Sequence, residues 1–277
     1  MRKYEIMFIV RPDLEENAVK ETVNKLEKVL TDNKEYIDNA SLNPLDMLED
    51  FKDYKGKSST SCPNANEWLE AFGDGEIVFA ITITSGLSGS FNAAMIAKKQ
   101  YEEMYPERRV YVIDSLSTGP QMYLIIHKLA QLMKEEKDYI EIRNTKIDYT
   151  NKTHLMFSLS SLDNFARNGR ISPTLAKSAS IFGIRVVGQA SYEGKLEPIG
   201  FCRGQKKALK RLLQEMKSAG FKGGKVIISH TDNEKGALEL AHLLREEFNN
   251  LSIKIMANGA LCSYYAETGG ILVGFES

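Results

Sequence analysis

EIVFAITITSGLSGSFNAAMIAKKQYEEMYPERRVYVIDSLSTGP, residues 76–120, is the stretch that decides the fold. It contains two continuous apolar runs, 76–84 and 110–114, and each is followed by a loop rich in serine, threonine and glycine. A continuous apolar run is typical of a strand covered on both faces, as in a parallel sheet. The segment 91–104 between the runs has helical spacing, and a second helix follows. This alternation predicts an N-terminal, Rossmann-like doubly wound parallel sheet within residues 1–150.

The residues before this stretch extend the same pattern. Residues 4–10 read as a buried strand, and 13–30 show apolar side chains at helical spacing, with acidic residues early and lysines late. A short helix over 42–51, a polar loop over 52–66 and a helix over 66–72 complete this part. Trp68 in the last helix is expected to be a packing residue.

The pattern changes after about residue 150. A turn joins two extended segments and predicts a hairpin, while basic and amphipathic helices alternate with the remaining strands. The predicted strands are 154–162, 183–190, 196–203, 225–231, 252–258 and 271–276, and the predicted helices are 205–218 and 234–248. A hairpin combined with crossover helices predicts a mixed sheet. We therefore expect a second α/β domain over 151–277.

Composition limits the classes of function. The chain has 277 residues and a formal net charge of −1, so no overall field attracts nucleic acid. No run approaches the roughly 18 apolar residues of a membrane span. The three cysteines, Cys62, Cys202 and Cys262, have no metal-type spacing, and no two of the four histidines form a zinc-binding motif. We expect a cytoplasmic protein without a metal, stable membrane insertion or a nucleic-acid partner.

Two loops are candidates for a ligand site, because doubly wound sheets bind ligands beyond the carboxyl ends of their strands. These loops are 84–90 and 114–119. Small residues let the backbone approach a ligand closely, and hydroxyls with helix-start amides favour an anion. An alternative is that these serines only cap helices. The loop 58–63 supplies further hydroxyls.

Ser88 in the first loop also suggests a nucleophile. Such a role needs a base and an orienting carboxylate, and His230 with Asp232 lies near the end of a later strand. A serine-dependent hydrolase or phosphotransferase is therefore the alternative function.

Short motifs follow one another in a set order over roughly residues 31–277. They are Thr60-Ser61-Cys62-Pro63, Ser85-Gly86-Leu87-Ser88-Gly89-Ser90, Ile113-Asp114-Ser115, Leu162 through Asn168-Gly169-Arg170-Ile171-Ser172, Gly194, Arg203 and 259–270. The first, second and fourth are close to T-S-Q-P-S, S-x-L-S-G-T and G-G-R-I-S. This ordered set resembles the DegV family, the bacterial fatty-acid-binding proteins that serve fatty acid kinase.

The resemblance implies two α/β domains with an acyl chain buried between them. It implies that the carboxylate is held by Thr60 and Ser88, with Ser61 and Gly89 in the same motifs. The arginines of the later motifs, Arg170 and Arg203, are implied to contact the acyl phosphate or a partner kinase. The resemblance further implies that the protein does not itself catalyse a reaction and needs no cofactor. On this reading it would hold the fatty acid while fatty acid kinase phosphorylates the carboxylate, which would feed phospholipid synthesis.

The chain departs from the family pattern in two places. Many members carry a histidine near the C-terminus, close to the carboxylate, and Tyr264 is expected to take its place here and donate the same hydrogen bond. The family also opens with a strand ending in Asp-Ser, which forms part of the pocket. Residues 1–30 of this chain instead resemble the start of a bacterial small-subunit ribosomal protein. The near-neutral charge argues against a ribosomal role.

Overall fold

The computed structural model describes residues 4–8, 28–32, 34–39, 41–54, 56–179 and 183–277. The strands in these ranges are β1 (Tyr4–Phe8), β2 (Lys28–Thr31), β3 (Glu35–Ile37), β4 (Ser58–Ser61), β5 (Ile77–Thr82), β6 (Arg109–Asp114), β7 (Thr153–Leu159), β8 (Ile184–Ala190), β9 (Leu196–Arg203), β10 (Gly224–His230), β11 (Leu251–Ala257) and β12 (Ile271–Glu276). The helices are α1 (Pro44–Lys52), α2 (Ala65–Phe72), α3 (Ser90–Met104), α4 (Gly119–Lys134), α5 (Tyr139–Thr150), α6 (Asp163–Arg167), α7 (Pro173–Ala179), α8 (Gln205–Ser218), α9 (Glu234–Glu247) and α10 (Ala260–Ala266). None of the helices described is long and apolar enough to cross a membrane.

A parallel sheet forms in the N-terminal half, with strand order β1-β5-β6. Both faces of β5 are covered. Val78 and Ala80 pack with α2 and α3 in a cluster that contains Trp68, whereas Phe79 and Ile81 pack on the opposite face with α4 and α5. The predicted doubly wound arrangement is therefore confirmed. Trp68 is 3% exposed, as expected of a packing residue.

A mixed sheet forms in the C-terminal half, with strand order β11-β10-β12-β7-β8-β9. β10 and β11 run parallel, and the other neighbouring pairs are antiparallel. Helices α8 and α9 cover one face, and the other face packs with α6, α7 and α10. This confirms the prediction of a mixed sheet. A domain boundary at residue 150, between α5 and β7, stays a prediction.

Helix α4 packs against both sheets. Its buried side chains join the core of the parallel sheet, and its first turn lies on β12 of the mixed sheet. The contact is close, because a Cβ at Gly274 would lie 2.5 Å from the carbonyl carbon of Pro120. Gln121 Nε2 also donates to the backbone oxygen of Thr153 at 2.9 Å. This helix therefore fixes the gap between the two sheets.

A small antiparallel sheet, with strand order β3-β2-β4, corrects two predictions. The segment 52–66, predicted to be a loop, contains β4, whose residues alternate between half-buried and exposed. The strand has no apolar side chains and so carries no hydrophobic signal. The helix predicted over 13–30 is wrong at Lys28–Leu30, because Val29 is buried as part of β2. The rest of that prediction, residues 13–27, lies outside the described residues.

Four helices were not predicted from the sequence: α5, α6, α7 and α10. Helix α5 shows the reason, because its apolar residues do not form one buried stripe. Ile140 and Ile147 are exposed while Ile142 is buried. The other three helices have five to seven residues and are too short to show a helical period.

The contact between Gly188 and Phe157 predicts a stability difference. A Cβ at Gly188 of β8 would lie 2.3 Å from Phe157 Cζ and 2.6 Å from the backbone oxygen of Glu197. Gly188→Ala is therefore expected to lower the free energy of unfolding by roughly 1–3 kcal/mol, measured by urea denaturation. The control is Gly200→Ala on the neighbouring strand β9, where a Cβ meets nothing within 4 Å. Equal stability of the two variants would contradict the packing described.

Candidate functional site

A cavity of about 110 Å³ lies between the loops that follow β5 and β6 and one face of the mixed sheet. Most of its lining is apolar. The apolar residues are Ile83, Leu87, Leu155, Phe157, Leu159, Phe165, Leu196, Leu261, Ala266 and Leu272. Leu155, Phe157 and Leu159 alternate along β7, so one face of that strand forms part of the cavity floor.

Hydroxyl groups line the same cavity. Four residues predicted to hold an anion, namely Thr60, Ser61, Ser88 and Gly89, are brought together there from two separate segments of the chain. Thr60 reaches the cavity because β4 pairs with β2, which holds the hydroxyl-rich segment in an extended conformation. Thr60 Oγ1 lies 2.7 Å from the hydroxyl of Tyr265, and either atom can be the donor.

The second group of polar atoms belongs to the start of α3. The backbone amide of Ser90 donates to Ser88 Oγ at 3.2 Å, which orients the Ser88 hydroxyl. The N-cap residue is Gly89, which has no side chain to occupy the amides of the first turn. A Cβ at Gly89 would lie 3.5 Å from Cys62 Sγ. The helix start therefore offers amide groups and the positive end of the helix dipole to an anion.

The loop after β6 has a structural role. Ser115 Oγ donates to the backbone oxygen of Ser117, and the Ser117 amide donates back to Ser115 Oγ. Asp114 accepts hydrogen bonds from the amides of Ser85 and Leu116, so its carboxylate ties the two loops together. Ser115 and Ser117 therefore stabilise the loop itself rather than cap the helix that follows, whereas Ser88 lines the cavity.

Arg170 also lines the cavity. Its guanidinium donates to two backbone oxygens, that of Leu87 at 3.2 Å and that of Asn168 at 2.5 Å. Among the described residues it forms no ion pair, so its positive charge stays available at the polar end of the cavity. Arg203 lies elsewhere: it is exposed at the end of β9 and does not line the cavity.

The placement of Tyr264 corrects the sequence-based assignment. Its side chain is 1% exposed, and its hydroxyl contacts Ser58 Oγ at 2.7 Å and Asn168 Nδ2 at 2.9 Å. The next residue, Tyr265, lines the cavity beside Thr60 and stacks on Phe165 with ring centroids 4.7 Å apart. Adjacent residues of a helix project about 100° apart, so only one of the two tyrosines faces the cavity. The sequence motif alone does not show which of the two adjacent tyrosines faces the cavity.

Glu267, which ends α10, has an unusual backbone conformation, with φ 54° and ψ 172°. This region is almost confined to glycine, and a residue held there costs of order 1–3 kcal/mol. Hydrogen bonds of the side chain offset part of this conformational cost. The Glu267 carboxylate accepts them from Ser161 Oγ at 2.9 Å and from the amide of Asn164 at 3.3 Å. Burial raises the pKa of this carboxyl above its ordinary value of 4.5.

Within the described part of the chain, the cavity that contains Ser88 offers no histidine or carboxylate as a base. His230 Nδ1 accepts the amide hydrogen of Asn233 at 3.3 Å, and burial lowers the pKa of His230. Neither His230 nor Asp232 lines the cavity that contains Ser88.

The raised pKa of Glu267 predicts a pH-dependent stability. A group whose pKa is higher in the folded state stabilises the protein fully below its unfolded value, and this contribution is lost as pH rises through the folded value. Glu267→Gln keeps the acceptor oxygen and removes the titration. The difference in melting temperature, variant minus parent, is expected to grow as pH rises from about 4 to about 7.

Glu193→Gln serves as the control for this experiment. The Glu193 carboxylate is exposed and pairs with Lys195 at 2.6 Å, which lowers the pKa of Glu193. Its stabilising contribution is present at neutral pH and lost in acid, so this variant is expected to give a small difference of opposite sign. A melting-temperature difference for Glu267→Gln that does not change with pH would contradict the description of the buried carboxyl.

Comparison with known proteins gives one family. The model of the family described as "Uncharacterised protein, DegV family" matches residues 15–277. A DegV domain-containing protein of Streptococcus gordonii is 39% identical over 241 residues, which cover 87% of this chain and 86% of that protein. The match to the family model begins at residue 15, inside the segment 1–30. Most of that segment, for which we expected a likeness to a ribosomal protein, lies outside the described residues.

Two solved structures match over nearly the whole chain. A DegV family protein from Eubacterium eligens, loaded with heptadecanoic acid, has a TM-score of 0.93 and 41% identity, covering 99% of both chains. The Fatty Acid Kinase (Fak) B3 protein of Streptococcus pneumoniae, loaded with linoleic acid, has a TM-score of 0.94 and 33% identity, covering 100% of this chain and 99% of that one. By sequence and by fold, this chain belongs to the DegV family.

Proposed function

We propose that this protein binds a long-chain fatty acid in the cavity between the two sheets and presents the carboxylate to a partner kinase. The observation that carries the proposal is that the cavity has two kinds of lining. The segments that contain Thr60 and Ser88 meet where a Cβ at Gly89 would lie 3.5 Å from Cys62 Sγ, and we take this place as the polar end. Most of the remaining lining is apolar and includes side chains of the mixed sheet. A long acid with one polar end matches these two kinds of lining.

Burial of the acyl chain supplies the affinity. A chain of ~16 carbons gains about 0.8 kcal/mol for each buried methylene, which sums to about 12 kcal/mol before the costs of association. Phe157 and Leu272, which are 3% and 7% exposed, supply aromatic and aliphatic contact surface for it. The fatty acid is therefore the ligand that we propose for this protein, and we propose no cofactor.

The carboxylate needs donors that do not carry a deeply buried charge, because a buried ion pair costs desolvation on both partners. The hydroxyls of Thr60, Ser61, Ser88 and Tyr265 and the first amides of α3 meet this requirement. Tyr265 takes the head-group role first assigned to Tyr264. Gly89 lets the carboxylate approach the helix start because it has no side chain.

The solved relatives support this ligand class. The Eubacterium eligens protein was crystallised with heptadecanoic acid, and the Streptococcus pneumoniae protein is a fatty acid kinase component loaded with linoleic acid. For this chain we infer a carrier without its own catalytic activity, and a fatty acid kinase as its partner. Acyl phosphate formed in this way would enter phospholipid metabolism.

The kinase must reach the carboxylate, and two arginines are proposed to assist it. Arg170 lines the polar end of the cavity and is suited to contact the acyl phosphate. Arg203 is exposed and is suited to contact the kinase. None of the three cysteines is joined in a disulfide, which fits a reducing, cytoplasmic location.

Fatty-acid binding by the delipidated protein tests the proposal. Titration calorimetry with hexadecanoic acid is expected to show one site. Thr60→Val combined with Ser88→Ala is expected to weaken binding about 10²- to 10⁴-fold, since each of the two lost hydrogen bonds to a charged group is worth about 1.5–3 kcal/mol. The control is Ser59→Ala, an exposed neighbour on β4 that does not line the cavity. A protein that binds no fatty acid, or a double variant that binds as tightly as the parent, contradicts the proposal.

The same preparation tests the kinase step. With a fatty acid kinase and ATP added, Arg203→Ala is expected to retain the affinity for hexadecanoic acid but to lower the rate of acyl-phosphate formation. Turnover of an ester or phosphate substrate by the protein alone, lost in Ser88→Ala, would favour the hydrolase instead.

A further inference from the structure

A row of paired residues crosses the mixed sheet on the face that meets α4. Met256 pairs with Ser229, Ser229 with Leu272, and Leu272 with Phe157. Leu272 and Phe157 line the cavity that contains Thr60 and Ser88, which we call the acyl cavity. Met256 and Ser229 line a second, smaller cavity of about 40 Å³, which we call the side cavity. Opposite residues in an antiparallel pair have Cβ atoms about 4.5–5.5 Å apart. Ser229 therefore lies one strand away from the floor of the acyl cavity.

The wall between the two cavities is thin. Four residues line both of them: Ile83, Thr118, Leu261 and Cys262. Gly119, which has no side chain, also lines the side cavity, and a Cβ there would lie 3.5 Å from Leu272 of the acyl cavity. Thr118 Oγ1, which lines both cavities, lies 3.6 Å from the sulfur of Cys262, and sulfur is a weak hydrogen-bond partner.

The hydroxyl of Ser229 needs a partner. Ser229 is 2% exposed, and within the described part of the chain its Oγ has no hydrogen bond. A buried hydroxyl without a partner is costly. The side cavity, at about 40 Å³, exceeds the roughly 10–15 Å³ that one water-sized group occupies. An oxygen atom of a ligand therefore fits beside Ser229.

The charge around the side cavity selects a neutral oxygen. Asp38 lines this cavity, and its carboxylate already accepts hydrogen bonds from the amides of Ala260 and Leu261 at 2.8 and 2.9 Å. An anionic group placed here would be repelled by Asp38, and a methylene group would leave Ser229 unpaired. A hydroxyl is uncharged and both donates and accepts a hydrogen bond.

We propose that the side cavity is a subsite for an oxygen in the middle of the acyl chain, so that the ligands of this protein include mid-chain hydroxy fatty acids. This inference rests on the proposed function, because the chain must lie over Leu272 and Phe157 with its carboxylate at Thr60 and Ser88. A hydroxyl on the part of the chain that passes Thr118 then reaches Ser229.

Competition binding with matched acids tests the inference. Octadecanoic acid is compared with octadecanoic acids that carry one hydroxyl at successive mid-chain carbons. At least one hydroxy acid is expected to bind about three- to tenfold more tightly than octadecanoic acid, which corresponds to one net hydrogen bond. Ser229→Ala is expected to abolish this preference while it leaves the affinity for octadecanoic acid within about twofold.

Ser158→Ala is the matched control. Ser158 is also a buried serine of the mixed sheet, but it lies between Phe157 and Leu159 on the opposite face and accepts a hydrogen bond from Arg185. The Ser158→Ala variant is expected to leave the ratio of the affinities for the hydroxy acid and for octadecanoic acid unchanged. Hydroxy acids that bind no more tightly than octadecanoic acid, or a preference that survives Ser229→Ala, overturn the inference. If octadecanoic acid itself does not bind, the proposed function fails and the inference falls with it.

Discussion

The packing of α4 between the two sheets is the contact on which the rest of the structure depends. The backbone of Pro120 lies so close to β12 that only glycine fits at position 274, while the other side of the helix is buried against Phe79 and Ile81 of the parallel sheet. A helix held on both sides sets the separation of the sheets. The acyl cavity lies in this gap, and Thr118, the N-cap residue of α4, is part of its lining.

Polar and apolar side chains meet in one cavity because two different parts of the fold face each other there. The carboxyl ends of β5 and β6 lead into loops rich in hydroxyls and amides, as expected at this edge of a parallel sheet. The mixed sheet faces these loops with large apolar side chains such as Phe157 and Leu272. Neither half alone forms this lining, because Thr60 and Ser88 come from the N-terminal half and Phe157 and Leu272 from the C-terminal half.

Much of this arrangement could be predicted from the sequence. The strands at 76–84 and 110–114 could be predicted because buried parallel strands are continuously apolar. The order of short motifs singles out Thr60 and Ser88, which line the cavity, and their role as carboxylate ligands stays a prediction. Strand β4 was missed because a strand made only of serine and threonine shows no hydrophobic alternation. Tyr265 was missed because two adjacent tyrosines differ only in the direction in which the helix projects them. Ser229 could not be identified, because its position depends on pairing with Leu272, which is distant in the sequence.

The most direct measurement is a crystal structure of this protein with hexadecanoic acid bound. The account predicts that the carboxylate lies within hydrogen-bonding distance of Thr60 Oγ1 and Ser88 Oγ, with the acyl chain over Phe157 and Leu272. An acid bound with its carboxylate at the opposite end of the cavity, or bound outside it, would contradict the account.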